Sequence, residues 1–141
     1  MRLMALPLLA LVVTASASPM LVLDVEVQGL RNARGQIHAS LTRNRAHFPD
    51  CSKDPEAIKR TTPASKPQLR FTGFPPGDYA LTVLHDENAN DRMDKVLGVP
   101  KEGFGFSRSP VVRFGPPRFE QVRIALAKAS TSVTVRIQYV L

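Results

Sequence analysis

Leu21-Val22-Leu23-Asp24-Val25-Glu26-Val27-Gln28 places an apolar residue at every odd position and, after Val22, a polar one at every even position. Side chains of an extended chain point alternately to opposite faces, so the stretch reads as a strand with one face in a core. The same period of two returns along the chain. Ile37, Ala39 and Leu41 alternate with His38, Ser40 and Thr42, and Asn32-Ala33-Arg34-Gly35 supplies a turn between the two segments. So short a connection predicts an antiparallel hairpin.

Further strands are expected over Gln68–Phe74, over Tyr79–Leu84, around Val122, Ile124 and Leu126, and over Val133–Tyr139, with a short edge strand at Val111–Phe114. Tyr79–Leu84 is apolar on both faces, which suits the centre of a sheet. Pro75-Pro76-Gly77-Asp78 before it has the composition of a tight turn, with glycine placed for positive φ. Arg43–Pro67 loses the alternation and gathers Pro49, Pro55, Pro63 and Pro67. It reads as a long connection with one helical turn around Pro55-Glu56-Ala57-Ile58. His85–Pro117 is a second irregular stretch, and no amphipathic helix of ordinary length is legible anywhere. The expected architecture is all-β: a two-sheet antiparallel sandwich, immunoglobulin-like or transthyretin-like, of six to seven strands with two long loops. No repeat or linker divides it, so residues 18–141 are expected to form one domain.

Met1 and Arg2, the apolar run Leu3–Val13 and then Thr14-Ala15-Ser16-Ala17 have the layout of a secretion signal at 1–17, cut after Ala17. The run is much shorter than the ~20 apolar residues that a membrane span needs. Cleavage would remove Arg2 alone among 19 basic residues and none of the 12 acids, so the net charge falls only from +7 to +6. The expected location is periplasmic or secreted. The charge suits anionic envelope components, lipopolysaccharide or acidic polysaccharide. The basic residues are scattered from Arg31 to Arg136 without a dense run, which argues against nucleic acid. Cys51 is the single cysteine, so no disulfide forms within the chain.

The densest side-chain chemistry is His85-Asp86-Glu87-Asn88-Ala89-Asn90-Asp91-Arg92-Met93-Asp94. In a calcium loop Asp86, Asn88 and Asn90 take positions 1, 3 and 5, the Arg92 carbonyl takes 7, and Asp94 takes 9. Asp91 replaces the glycine of position 6 and Leu97 the bidentate glutamate of position 12. Glu87 or Glu102 could complete the ligand set from elsewhere. Without an ion, the same Asp and Asn residues are good turn formers, because their side chains bond to their own backbone. Both readings stay open at this level. His85 next to Asp86 also raises a hydrolase, with Ser107 or Ser109 as nucleophile, but no strand-to-helix elbow frames either serine. His38, His47 and His85 lie in separate segments without the paired spacing of a zinc site. In Gly98–Ser107 the glycines form no phosphate loop, and Phe104 and Phe106, two apart, are expected to plug this segment onto the sandwich.

Three blocks, Phe71-Thr72-Gly73-Phe74-Pro75-Pro76-Gly77-Asp78-Tyr79-Ala80, His85-Asp86-Glu87-Asn88-Ala89-Asn90 and Gly98–Ser107, resemble the bacterial secreted family Domain of Unknown Function 2141. The resemblance runs in order from about Leu21 to Tyr139. It implies export in Gram-negative bacteria and a β-sandwich, and brings no established activity. Asp91 stands where that pattern leads one to expect glycine. The Pro-Pro-Gly-x-Tyr turn is similar to that of carboxypeptidase-regulatory and collagen-adhesin B-type modules, which are accessory sandwiches. A transthyretin-like hydrolase of the purine pathway ends in Tyr-Arg-Gly-Ser, whereas this chain ends Gln138-Tyr139-Val140-Leu141, so that analogy lacks a residue it needs. The expectation is therefore an exported non-catalytic binding module with a weak calcium-type loop at Asp86, Asn88, Asn90 and Asp94. The alternative is a small metal-dependent or triad-type hydrolase centred on His85 and Asp86.

Overall fold

In the computed structural model, which describes residues 10–96 and 99–141, Leu21, Leu23, Val25 and Val27 are buried while the residues between them reach solvent. This strand, β1 (Leu21–Gln28), is the middle of a three-stranded sheet. It runs antiparallel to β4 (Gln68–Phe74) and parallel to β10 (Ser130–Arg136). The second sheet has the order β3 (Ile58–Pro63), β2 (Gln36–Thr42), β5 (Gly77–Asp86), β8 (Gly103–Phe106), and β9 (Ile124–Leu126) pairs with the start of β5. A ribbon of β6 (Lys95–Val96) and β7 (Val99–Pro100) and one helical turn, α1 (Phe119–Val122), complete the elements. The sheets stack face to face over a core of β1, β4 and β10 side chains against Ile37, Ala39, Leu41, Leu81 and Val83. The fold is a β-sandwich, as the alternation predicts. Among the described residues no helix is long and apolar enough to cross a membrane.

Several local expectations fail, each for a physical reason. β1 and β2 do not form a hairpin: they belong to different sheets, and their apolar faces meet by stacking across the core. The connection passes between the sheets through Gly29 and Gly35, at φ +80 and +70. The sheets are also not purely antiparallel, because β10 returns beside β1 in parallel register from Val22↔Ser130 to Gln28↔Arg136. No helical turn forms around Pro55; Ile58 instead opens β3, an edge strand laddered to β2. Its sequence, Ile-Lys-Arg-Thr-Thr-Pro, is polar because only one neighbour and little core oblige it to be otherwise. Gly73, not Gly77, takes positive φ, and Gly77 is already paired with Leu126. Val111–Phe114 is not a strand.

β5 is buried on both faces because a second, smaller core covers its outer side. There Ala80, Phe104, Phe106, Phe119 and Val122 pack together with Phe48, Met93 and Val112. The run Gly103-Phe104-Gly105-Phe106 is explained by this two-sided position. Its phenylalanines face the outer cluster, whereas its glycines face β10 and the residues that follow it. A Cβ on Gly105 would lie 2.7 Å from the Arg136 carbonyl oxygen and 2.8 Å from Val135 Cγ1. A Cβ on Gly77 would meet nothing nearer than Tyr79 Cε2 at 3.4 Å. Gly105→Ala should therefore destabilise by about 1–3 kcal/mol through overpacking, and Gly77→Ala by at most about 0.5 kcal/mol, as read by urea unfolding.

Candidate functional site

β5 runs two residues beyond its central stretch, and those two, His85 and Asp86, are both fully buried. A buried carboxylate needs partners to offset lost hydration. Asp86 has three: Asn90 N donates to Oδ1 at 3.1 Å, Asp91 N donates to Oδ2 at 2.7 Å, and His38 Nε2 lies 2.9 Å from Oδ2. The two amides belong to the loop that leaves β5, so the strand end and the loop are tied at one carboxylate. Asp91 adopts φ +62, and Ala89 adopts φ +54. The sharp turn that glycine makes at position 6 of a calcium loop is thus kept by an aspartate, a residue that tolerates left-handed backbone better than most. The Asp91 carboxylate also reaches His38, with Oδ1 3.3 Å from Nε2. His38, Asp86 and Asp91 form a group that could hold a metal ion.

The four residues expected from the sequence come together. Asn88 Nδ2 donates to Asp94 Oδ2 at 2.7 Å, and Asn90 Nδ2 lies 2.9 Å from both Asp94 oxygens. Their own carbonyl oxygens close Asx turns, accepting from Asn90 N and Arg92 N. These bonds hold the Asp94 carboxyl below its ordinary range. Leu97 and Gly98 lie outside the described residues.

Of the two glutamates that could complete the set, one is taken up by donors and the other keeps an unpartnered oxygen. Glu87 is claimed by Arg31 Nε at 2.7 Å and Asn32 Nδ2 at 3.2 Å, with Arg34 at 3.5 Å. Burial pushes its carboxyl up, but these donors outweigh burial and hold it below the ordinary value. Glu102 is 4% exposed, and its Oε2 is the one buried side-chain oxygen or nitrogen without a hydrogen-bond partner among the described residues. Burial first, then the nearby Asp86 and Asp94 charges, push its carboxyl up to about 7, against a hydrogen bond from the Asp94 backbone. Glu102, just before β8, thus feels the charges of both Asp86 at the end of β5 and Asp94 in the loop. A cleft of about 220 Å³ is lined by Asn88, Asp94 and Glu102 together with Glu87 and the basic Arg31, Arg34 and Lys101.

His85 and the serines go elsewhere. His85 Nε2 lies 2.7 Å from the Arg34 carbonyl, which can only accept, so Nε2 carries a hydrogen. Nδ1 lies 2.7 Å from the Tyr139 hydroxyl, which itself accepts from Arg31 N at 3.2 Å. Ser107 is buried, donating to Val122 O and accepting from Leu81 N, and Ser109 Oγ accepts from Arg136 N. Neither serine hydrogen-bonds to a histidine. Cys51 is free and buried, and burial raises its thiol pKa. The roles of His38 and Tyr139 are not legible in the sequence because they arise from pairing β2 with β5 and from the tail crossing the strand ends. The only available signal was a histidine on the polar face of an alternating strand.

The His85–Tyr139 bond braces the Arg31–Gly35 connection from behind the site. Gly35 sits so close that a Cβ there would overlap the Asp86 backbone oxygen. Tyr139→Phe should cost about 1–2 kcal/mol in urea unfolding, because it removes the hydroxyl that both His85 and Arg31 use.

No curated protein and no solved structure matches the chain. The sequence model of one bacterial family, described as "Uncharacterized protein conserved in bacteria (DUF2141)", matches residues 25–134, from within β1 to within β10, and the chain belongs to that family.

Proposed function

We propose that the protein is an exported, non-catalytic binding module whose Asp86–Glu102 region closes on a calcium ion. The observation that carries this reading is Glu102: a buried carboxylate with an unpartnered oxygen, set against two further carboxylates. The Asp86 and Asp94 charges oppose ionisation of the buried Glu102, and a divalent cation turns the same arrangement into an attraction. Asp86, Asp94 and Glu102 supply negative oxygens, Asn88 and Asn90 supply amide oxygens once their side chains rotate, and the Arg92 carbonyl supplies another. An all-oxygen set of this size matches the six to eight ligands of calcium. Glu102 takes the part of the missing position-12 glutamate from outside the loop.

The non-catalytic reading is supported by His85, whose two ring nitrogens are engaged in holding the Arg31–Gly35 connection and the tail. Export is supported by the signal layout of residues 1–17. Leu11, Val12 and Val13 are 85%, 79% and 79% exposed, outside both cores. In the envelope the net positive charge favours anionic components such as lipopolysaccharide or acidic polysaccharide.

Thermal unfolding in chelator and in millimolar calcium tests the ion. With a Kd of about 10⁻⁴ to 10⁻³ M, calcium at ten times Kd should stabilise by about 1.4 kcal/mol, a rise of several degrees in Tm. Glu102→Gln should reverse the order of the two proteins. Without calcium the variant should melt above the wild type at pH 8, because one repelling charge is gone; in calcium it should melt below it. Identical melting of the wild type in chelator and calcium would leave the loop a hydrogen-bonded turn and remove the ion from the account.

A further inference from the structure

Away from the carboxylate cluster, Arg108-Ser109-Pro110-Val111-Val112-Arg113-Phe114-Gly115-Pro116-Pro117-Arg118 carries three arginines and no acid. Phe114 is 98% exposed and Val111 75%, whereas the other six phenylalanines are buried or half-buried. This exposure is built into the fold. Val112 packs into the outer core, its backbone N donates to Gln138 Oε1 at 3.1 Å, and Gln138 Nε2 donates to the Pro110 carbonyl at 2.7 Å. Ser109 Oγ accepts from Arg136 N at 3.0 Å, and buried Phe119 fixes the far end. With both flanks and the middle anchored, the loop holds Phe114 and Val111 outward. Among the described residues Arg108, Arg113 and Arg118 take part in no ion pair, whereas Arg31, Arg45, Arg70 and Arg123 do.

We propose that this loop docks the protein onto an anionic lipid bilayer, with Phe114 and Val111 entering the boundary between headgroups and acyl chains and the three arginines on lipid phosphates. The chemistry selects a bilayer over a soluble polyanion. An acidic polysaccharide would pair with the arginines and leave Phe114 in water, whereas a bilayer offers phosphate and apolar phase side by side. Arginine suits phosphate oxygens because its planar fork donates in pairs. The inference is independent of calcium and of catalysis, since no residue of the loop belongs to the carboxylate cluster.

The chain has no tryptophan, so Phe114→Trp in the full chain gives one reporter at the tip of the loop. Because residues 3–13 are themselves apolar, co-sedimentation would not isolate the loop, but the reporter reads its surroundings alone. With vesicles containing phosphatidylglycerol, the indole emission should shift to the blue and be quenched by lipids brominated on their acyl chains. Pure phosphatidylcholine should give no shift, and molar salt should suppress the one seen. Each of Arg108→Gln, Arg113→Gln and Arg118→Gln should weaken vesicle affinity about fivefold by this signal. Unmoved emission with anionic vesicles overturns the proposal. So does an equal shift with neutral vesicles, a shift produced by soluble acidic polysaccharide, or one produced by protein concentration alone, which would assign the loop to a second copy of the chain.

Discussion

A carboxylate buried at the end of the central strand governs the business end of this sandwich. β5 has strand neighbours on both sides and cores on both faces, so the position of its last residue, Asp86, is fixed by the whole molecule. Burial would be costly for that carboxylate alone. The loop after it therefore curls back to donate two backbone amides, and His38 approaches from β2. That curl in turn delivers Asn88, Asn90 and Asp94 to one place, and the short strand β8 begins just after Glu102. The cluster is a consequence of satisfying Asp86, and the charge it accumulates makes a cation its natural complement.

Net charge and local charge point in opposite directions here. The chain carries +7 overall, yet Glu102 sits where the charges of two other carboxylates, Asp86 and Asp94, act on it. Basic residues stand both beside that cluster, where Arg31 is held by Glu87 and Tyr139 and Arg34 and Lys101 line the same cleft, and on the Arg108–Arg118 loop. Composition alone proposes an anionic partner. The fold keeps the Asp86–Glu102 cluster and the Arg108–Arg118 loop on separate segments, and the two proposals rest on different residues.

Most of the sandwich was legible because its core strands are half-buried and must alternate. β1, β2 and β4 show that pattern plainly, and burial follows it, whereas β5 is apolar on both faces. β3 and β8 were not legible. β3 is an edge strand whose outward residues are polar, and β8 replaces one of its faces with glycine to admit Val135, Arg136 and Ile137. Strand partners were harder still: a short connection suggests a hairpin, but only the demand that both apolar faces share one core sends β1 and β2 to different sheets. At the site, the spacing of Asp86, Asn88, Asn90 and Asp94 could be read directly, since a curled loop gathers alternate residues. The choice of Glu102 over Glu87 could not, because it depends on Arg31 and Asn32 arriving from a connection more than fifty residues away in sequence.

We propose that Asp86, Asp94 and Glu102 share one divalent cation. A crystal structure grown in millimolar calcium tests it most directly. One ion bound to oxygens of all three carboxylates at about 2.3–2.6 Å is expected, with the Asn88 and Asn90 amides turned oxygen-inward. A calcium-grown structure in which Asn88 and Asn90 still donate to Asp94, and Glu102 keeps its unpartnered oxygen, would contradict it.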